Sequence, residues 1–352
     1  MAGLFVRRCD AHRSYSEHLL LIHLRPTKVM QLQILRSAQD MLQVRHVWER
    51  LASREHTTLF QSFDLNWLAA RVFAGREAPF IIYARASYGE AIIPAVIREA
   101  DGGASIRLLG EELFDYRNFL HDGDDEVLRS ALIVLADLRQ SLDITAFRQA
   151  DTRALPAEFA LSFFTMAPGI RRRQLSGEAF AQMHLRLARN LRRMERLGFD
   201  LRLYDGSHLS LVRNIYQRKA EQEEKSLFRD PVRVDFMIQA GQLQPQHFQI
   251  FTLERGSDLG AALVTLVDSG VLRFYTCWFS PELAQHSPAL ALIYEATRLS
   301  LEAGMDCDYM TGEQPYKLRL ATYSVPLLKL HATHEQLASL SRPHLQELRP
   351  TG

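Results

Sequence analysis

Cysteine is scarce in this chain: Cys9, Cys277 and Cys307 are the only three among 352 residues. Three cysteines this far apart do not make a disulfide framework or a zinc site, and they suit a reducing compartment. Long apolar runs are also lacking, because no stretch approaches the 18 residues that a membrane-spanning helix needs. We therefore expect a cytoplasmic protein with no metal and no membrane span.

Charge of one sign is not in excess either. The 42 Lys and Arg residues face 41 Asp and Glu residues, which leaves a net charge of +1. A chain with so little net charge has no overall field to attract nucleic acid, so we expect no nucleic-acid partner. Hydrophobic residues make up 47% of the chain, enough for sizeable cores, and the length predicts about two domains.

The first half of the chain predicts an extension followed by a domain. Residues 1–34 predict an N-terminal extension, of which residues 1–30 lack sustained periodicity and are expected to pack weakly; translation could also begin at Met30 or Met41. Residues 35–168 predict an N-terminal domain, in which a helix near Leu35–Glu55 precedes a meander of short apolar strands. The break at Ala167-Pro168-Gly169 marks the boundary.

Residues 169–340 predict a C-terminal domain, with residues 341–352 as a tail. A helix near 176–198 carries an apolar stripe, and we interpret its many arginines as a solvated face; the alternative is a surface that holds phosphates or tRNA. Three strands joined by hairpin turns follow, and the helix Pro288–Ala303 then crosses over to the strand Asp306–Met310. The fold class is therefore mixed α/β (α+β), with a largely antiparallel mixed sheet flanked by helices in each half.

Two places in the C-terminal half predict a site. Asp306 and Asp308 share one face of a short strand, and the polar turn after it carries Glu313, Tyr316 and Lys317. The alternative interpretation is a strand followed by a solvated turn.

The second place is the start of the crossover helix. Ser287 can cap this helix and Pro288 fits its first position. A helix N-terminus beside a strand end suits a pyrophosphate, although many such helices bind nothing.

Several segments resemble the GNAT-superfamily acyltransferases of the CelD-like kind, which carry a BioF-like acetyltransferase domain and are linked with cellulose and exopolysaccharide synthesis. The resemblance covers roughly residues 42–335. Its most specific part is Asp308-Tyr309-Met310-Thr311-Gly312-Glu313-Gln314-Pro315-Tyr316-Lys317, similar to the family's Asp-Phe-x-x-Gly-x-x-x-Tyr-Lys pattern. The other matching segments are Trp48–Leu51, Thr58–Ser62, Phe114–Tyr116, Leu191–Gly198 and Ser287-Pro288.

The resemblance implies two tandem GNAT-like domains and acetyl-CoA or another acyl-CoA as the acyl donor. It implies a sugar or another small acceptor, and polysaccharide-biosynthesis proteins as partners. The standard phosphate loop, Gln/Arg-x-x-Gly-x-Gly/Ala, is missing, and Gln285-His286-Ser287-Pro288-Ala289 stands in its place.

With this resemblance, we expect Asp308 or Glu313 to act as the general base. Tyr316 would protonate the leaving thiolate or orient the acceptor, and Lys317 would anchor an anionic group or the structure. The remaining expected site residues are Ser287, Pro288 and Ala289 for the cofactor, and Tyr275, Asp115 and Tyr116 for the acceptor.

Three functions stay open at this point. The first is an acyl-CoA-dependent N- or O-acyltransferase. The second is an aminoacyl-tRNA-dependent transferase of the Fem-like kind, which near-zero net charge opposes. The third is a non-catalytic partner of a polysaccharide-synthesis complex, which the missing phosphate loop keeps open.

Overall fold

The computed structural model describes residues 19–25, 28–54, 57–100, 103–122 and 125–340. By its internal contacts the chain divides into two compact units. Unit 1 comprises residues 1–164 and 328–352, and unit 2 comprises residues 165–327. Within the described residues, no helix combines the length and the apolar character needed to cross a membrane.

The elements follow one another along the chain in a mixed order. The strands are β1 (Leu19–Arg25), β2 (Lys28–Leu35), β3 (Glu77–Ala86), β4 (Gly89–Ala100), β5 (Gly103–Leu108), β6 (Leu120–His121), β7 (Ser141–Arg148), β8 (Ala160–Ile170), β9 (Asp200–Asp205), β10 (Phe248–Arg255), β11 (Asp258–Asp268), β12 (Val271–Phe279), β13 (Asp306–Asp308) and β14 (Tyr323–Ala332). The helices are α1 (Ala38–Met41), α2 (Arg45–Ala52), α3 (Phe63–Val72), α4 (Asp125–Val134), α5 (Gly177–Met183), α6 (Leu185–Arg196), α7 (Leu209–Gln222), α8 (Pro231–Leu243), α9 (Pro288–Glu302), α10 (Pro315–Leu320) and α11 (His334–Ser339).

The sheet of unit 1 is a meander with the strand order β1-β2-β3-β4-β5-β7, and β6 pairs with β4. Its neighbours are antiparallel except β5 and β7, which run parallel. Alternate residues such as Phe80, Ile82 and Ile93 point into one core, where they meet Leu128 and Leu132 of α4.

The start of the chain contributes to this sheet. Residues 1–18 lie outside the described residues, but β2 pairs with β3 from Gln31↔Arg85 to Leu35↔Ile81. Met30 and Leu32 are buried, as the alternation of apolar and polar residues along β2 requires. Residues 28–35 therefore form a sheet strand, whereas weak packing was expected up to residue 30 and an extension up to residue 34. The domain bounds at 34, 168 and 340 stay a prediction.

Unit 2 has the strand order β8-β13-β12-β11-β10-β9. Strand β13 is parallel to β12 and antiparallel to β8, and the remaining neighbours are antiparallel. Helix α9 makes the crossover from β12 to β13, as the sequence predicts. The turn between β11 and β12 has Ser269 and Gly270 at positive φ, the backbone that a tight hairpin needs.

Helices cover both faces of the unit 2 sheet. Leu263, Leu272 and Phe274 pack with α9, and α5 and α6 pack on α9 in the same layer. Trp278 points away from this core, because its neighbours Cys277 and Phe279 face it. Arg218 of α7 lies 5.0 Å from the Trp278 ring, so α7 lies on the opposite face. These two layers confirm the predicted fold class, a mixed α/β fold with sheets flanked by helices.

Candidate functional site

The parallel strands β12 and β13 stay together for only three residue pairs. The pairs are Val271↔Asp306, Leu272↔Cys307 and Arg273↔Asp308. Strand β12 then continues to Phe279, whereas β13 ends and the backbone N–H of Tyr309 donates to the carbonyl of Pro168 on β8. From Phe274 onward, the edge of β12 thus has no β13 partner in the described chain. The split opens a gap within the sheet.

A β-bulge lies in β12 where the gap begins. Val264 pairs with Thr276 and Thr265 pairs with Phe274, so Tyr275 is an extra residue between them. A bulge bends its strand and re-aims the side chains around it, which is why bulges are common beside active sites. Tyr275, an expected acceptor contact, is half-buried at this bend.

An ion triad of Asp268, Arg273 and Asp308 holds the base of the split. The Arg273 guanidinium donates to Asp268 at 2.7 and 2.9 Å, and its Nη1 donates to Asp308 Oδ2. The three residues are only 7%, 7% and 6% exposed. Since Arg273 and Asp308 form the last parallel pair, the triad lies where the two strands part.

The second oxygen of Asp308 is engaged outside the triad. The backbone N–H of Met310 donates to Asp308 Oδ1 at 2.7 Å, and Met310 has a φ of 60°. Asp308 therefore fixes the left-handed turn that leads the chain away from β13. With both oxygens engaged, Asp308 is better placed to hold the split than to accept a proton from an acceptor.

The other expected catalytic residues lie in the turn after β13 and on α10, and they differ in how deeply they are buried. Lys317 is buried on α10 and its Nζ donates to the carbonyl of Thr311 at 2.6 Å, so it fastens the turn. Gly312 has a φ of 109°, which favours glycine at this position. Glu313, one residue further, has an exposed side chain.

Tyr316, on α10, lies near Cys277 of β12. It is half-buried and packs against the unit 2 core together with Cys277. Burial raises the pKa of the Tyr316 hydroxyl well above its usual 10, and Cys277 adds to the shift. Burial likewise raises the pKa of the Cys277 thiol to about 12. At neutral pH both groups keep their protons, so Tyr316 can donate a hydrogen bond and Cys277 is not an activated thiolate.

Helix α9 begins at the far end of β12. A 3₁₀ turn, Pro281–His286, leads from β12 to Ser287, and Pro288 is the first helical residue. Ser287 has a φ of 53° and its side chain makes no capping hydrogen bond, so the expected side-chain cap is wrong. The left-handed backbone directs that side chain elsewhere. Ala289 is half-buried in the first turn.

The comparisons with known proteins fall on this same part of the chain. Residues 181–318 match a model of the acetyltransferase (GNAT) domain. The matched range contains the split, the bulge, the ion triad and the start of α9, so the GNAT-like part of the chain is the part that carries the gap. No protein with a curated function matches the chain.

Solved structures show a similar fold over nearly the whole chain. FemX is 10% identical, with 84% of this chain and 98% of that chain covered at a TM-score of 0.58. A conserved protein of unknown function from Bacteroides thetaiotaomicron is 9% identical, with 85% of this chain and 99% of that chain covered at a TM-score of 0.57. The C-terminal domain of a candidate lysylphosphatidylglycerol synthetase from Agrobacterium fabrum is 9% identical, with 89% of this chain and 97% of that chain covered at a TM-score of 0.56. At such identities the likeness shows the fold alone.

Asp115 and Tyr116 belong to unit 1 and not to the unit that carries the gap. Tyr116 is buried, its ring lies 6.2 Å from that of Phe60, and its carbonyl accepts from Gln61 Nε2 at 2.7 Å. These contacts give Tyr116 a place in the unit 1 core. The role of Asp115 and Tyr116 in acceptor binding stays a prediction.

Sequence reasoning missed Arg273 and Asp268. A single arginine inside the apolar strand Val271–Phe279 was a usable signal, because a buried guanidinium requires an acidic partner. Its partner Asp308 is 35 residues away in sequence. The pairing could not be read without the register of β12 on β13.

Proposed function

We propose that the chain is an acyl-CoA-dependent acyltransferase whose reaction takes place in the gap between β12 and β13. The observation that carries this proposal is the split after Arg273↔Asp308, with the bulge at Tyr275 where it begins and the start of α9 following the far end of β12. The match of residues 181–318 to the acetyltransferase (GNAT) domain supports it. The reaction moves an acyl group from the thioester sulfur to an amine or hydroxyl of the acceptor, and leaves the free thiol of CoA.

The open edge of β12 suits the pantetheine arm of CoA. An exposed strand edge binds extended, amide-containing chains by adding them as a further strand, and pantetheine contains two amides. The same edge offers backbone N–H donors for the oxyanion of the tetrahedral intermediate. The pyrophosphate would then lie at the N-terminus of α9, where the helix dipole favours negative charge.

Proton transfer in this proposal falls to Glu313 and Tyr316. Glu313 is the better base candidate, because its side chain is exposed whereas both oxygens of Asp308 are engaged. Tyr316 is protonated at neutral pH and would give its proton to the leaving thiolate to form the free thiol, and the proton that Glu313 takes from the acceptor would return to Tyr316 through water. In this scheme Asp308 and Lys317 are positioning residues, since they fix the turn on which Glu313 and Tyr316 lie.

The acceptor class is the finer part of the proposal. The resemblance to the CelD-like kind favours a sugar or another small acceptor with an amine or hydroxyl, and polysaccharide-biosynthesis proteins as partners. Transfer from an aminoacyl-tRNA is the second candidate, because the fold is shared with FemX. We place acyl-CoA first because the acetyltransferase match contains the split.

A thermal-shift series tests the donor. The purified protein is heated with acetyl-CoA, longer acyl-CoAs, free CoA or aminoacyl-tRNA. A ligand that binds the native state at one hundred times its Kd raises stability by about 2.7 kcal/mol. We expect a shift with one or more acyl-CoAs. No shift with any CoA compound, together with transfer from aminoacyl-tRNA, would replace the first candidate by the second.

A further inference from the structure

One face of α6 carries five arginines. We call Arg186, Arg189, Arg192, Arg193 and Arg196 the arginine face; all five side chains are exposed. The opposite side of α6 packs into the unit 2 core through Leu187, Leu191 and Met194. At 100° per residue the arginines surround the direction that points away from this core.

The charge of the arginine face is not neutralised by the protein. Within the described chain, none of the five guanidiniums forms a salt bridge with a carboxylate. Arg189 and Arg196 donate only to the backbone carbonyls of Leu185 and Arg192. Glu178 and Glu195 are the only acids in α5 and α6. A chain of net charge +1 thus concentrates positive charge on one helix.

Two large apolar side chains lie beside these arginines. Met183 is 67% exposed and Leu185 is 53% exposed. Leu185 precedes Arg189 by four residues and Arg192 by seven, so it projects from the middle of the same face. The aromatic side chain of α5, Phe180, is buried, and α6 has none. Between the two helices His184 is half-buried, with its ring 4.6 Å from that of Phe180. The surface therefore combines cations with exposed aliphatic groups, and no Phe, Tyr or Trp ring of α5 or α6 is exposed on it.

We propose that the arginine face, together with Met183 and Leu185, docks on the surface of an anionic phospholipid bilayer. Guanidiniums bind phosphate oxygens in pairs of hydrogen bonds, and an anionic leaflet supplies a dense layer of them. Met183 and Leu185 would enter the interfacial region, where apolar side chains gain from leaving water. RNA supplies phosphates as well, but it offers no lipid-like region into which Met183 and Leu185 could insert. Its single-stranded bases are usually bound by stacking on aromatic rings.

This docking does not depend on the acyl-transfer proposal, because it requires neither the gap nor a CoA compound. A protein that failed to bind any acyl-CoA could still bind vesicles, and a protein that failed to bind vesicles could still bind an acyl-CoA. The two proposals are therefore refuted by different results.

The test is vesicle co-sedimentation of the full chain. Vesicles of phosphatidylcholine alone are compared with vesicles that also contain phosphatidylglycerol, at low and high salt. We expect binding only to the anionic vesicles, and weaker but measurable binding at high salt, because the charges are then screened. Arg189→Gln with Arg193→Gln should lower the partition coefficient about thirtyfold, since each basic residue near an anionic surface contributes about fivefold.

The matched control is Arg202→Gln with Arg213→Gln. It removes the same charge from β9 and α7, and these arginines lie on the other face of the sheet, because Leu201 next to Arg202 packs toward the α9 core. We expect its binding to stay within about twofold of wild type. Met183→Ser with Leu185→Ser should lower binding at both salt concentrations, because the apolar contribution is not screened.

Three results would overturn the proposal. They are equal binding to both kinds of vesicle, an equal loss in the control and in the arginine-face variant, and binding of RNA, but not of vesicles, that the arginine-face variant abolishes. Thermal unfolding of each variant confirms that it is folded, as expected for changes at exposed positions.

Discussion

Replacing Asp308 by Asn separates a structural role from a catalytic one. In the structure, Asp308 is buried, accepts from Arg273 and from the backbone of Met310, and joins β13 to β12 at their last pair. An Asn side chain keeps an oxygen for Met310 but loses the charge-assisted bond to Arg273. Hydrogen bonds to charged groups contribute about 1.5–3 kcal/mol, which is the expected loss.

Arg273→Met is the stronger perturbation of the same triad. It leaves both Asp268 and Asp308 buried without their guanidinium, and removing one partner of a buried ion pair costs about 3–5 kcal/mol. For a unit of this size, one kcal/mol corresponds to roughly 2–4 °C in Tm. We therefore expect Asp308→Asn to lower the Tm of unit 2 by roughly 3–12 °C, and Arg273→Met to lower it further.

The assay is thermal unfolding by calorimetry, with acyl-transfer turnover measured on the same samples. Glu313→Gln is the matched control, because it neutralises an exposed carboxylate of the same turn and should leave Tm unchanged. If Asp308→Asn and Arg273→Met both melted with the wild type, the triad would not hold the split. If Asp308→Asn melted with the wild type but lost turnover about 10²–10⁴-fold, Asp308 would be the general base after all.

Four further predictions concern the turn and unit 1. Glu313→Gln should lower kcat by about 10²–10⁴-fold with Tm and CoA affinity retained, and full turnover on a verified acceptor would remove Glu313 as the base. Tyr316→Phe should lower kcat but keep the KM for acyl-CoA, and an unchanged kcat would assign this side chain to packing. Lys317→Met removes the hydrogen bond from Lys317 to the Thr311 carbonyl, so it should lower Tm while turnover at a permissive temperature is nearly retained. An unchanged Tm with a loss of turnover would indicate a ligand contact instead. Burial alone would raise the pKa of Asp122, but the hydrogen bond from Arg50 and the other partners lower this pKa overall. The stability that Asp122 contributes is therefore present above the unfolded pKa of about 3.9, and it is lost as the pH falls through the folded pKa. In urea unfolding Asp122→Asn should thus be less stable than wild type at pH 7, with the difference shrinking below about pH 4, and a difference independent of pH would contradict this account.

Much of the fold of unit 2 follows from local patterns. The turns after β10 and β11, the Pro at the start of α9 and the apolar stripe of α6 depend on residues close together in sequence, and these features are present. The single helix predicted near 176–198 is instead divided into α5 and α6 at His184, whose backbone is not helical. The strand β2 was missed although Met30-Gln31-Leu32-Gln33-Ile34 alternates strictly, because a single short strand cannot be told from an extension without its partner.

The site was harder to predict because its geometry depends on register. Asp308 looked like a base at the end of a short strand beside a polar turn, and only the structure shows that Arg273 and the backbone of Met310 engage both of its oxygens. The bulge at Tyr275 is likewise a property of two strands, not of one. The bounds of the compact units follow from long-range contacts too, since β14 begins in unit 2 and ends in unit 1.

The most direct test of the account is the affinity of CoA for two variants of Ala289, in the first turn of α9. Ala289→Asp puts a negative charge where the pyrophosphate is proposed to lie, and Ala289→Asn has the same shape without the charge. Both side chains are compatible with a helix N-terminus, so neither should unfold the protein. Two unit charges about 8 Å apart at an effective dielectric constant of about 20 repel by about 2 kcal/mol.

Isothermal titration calorimetry with acetyl-CoA at low salt measures the Kd of the wild type and of both variants. The account predicts that Ala289→Asn binds within a few-fold of wild type, and that Ala289→Asp binds about thirtyfold more weakly than Ala289→Asn. The same affinity for both variants, or no binding of acyl-CoA by the wild type, would contradict the placement of the donor at the split of β12 and β13.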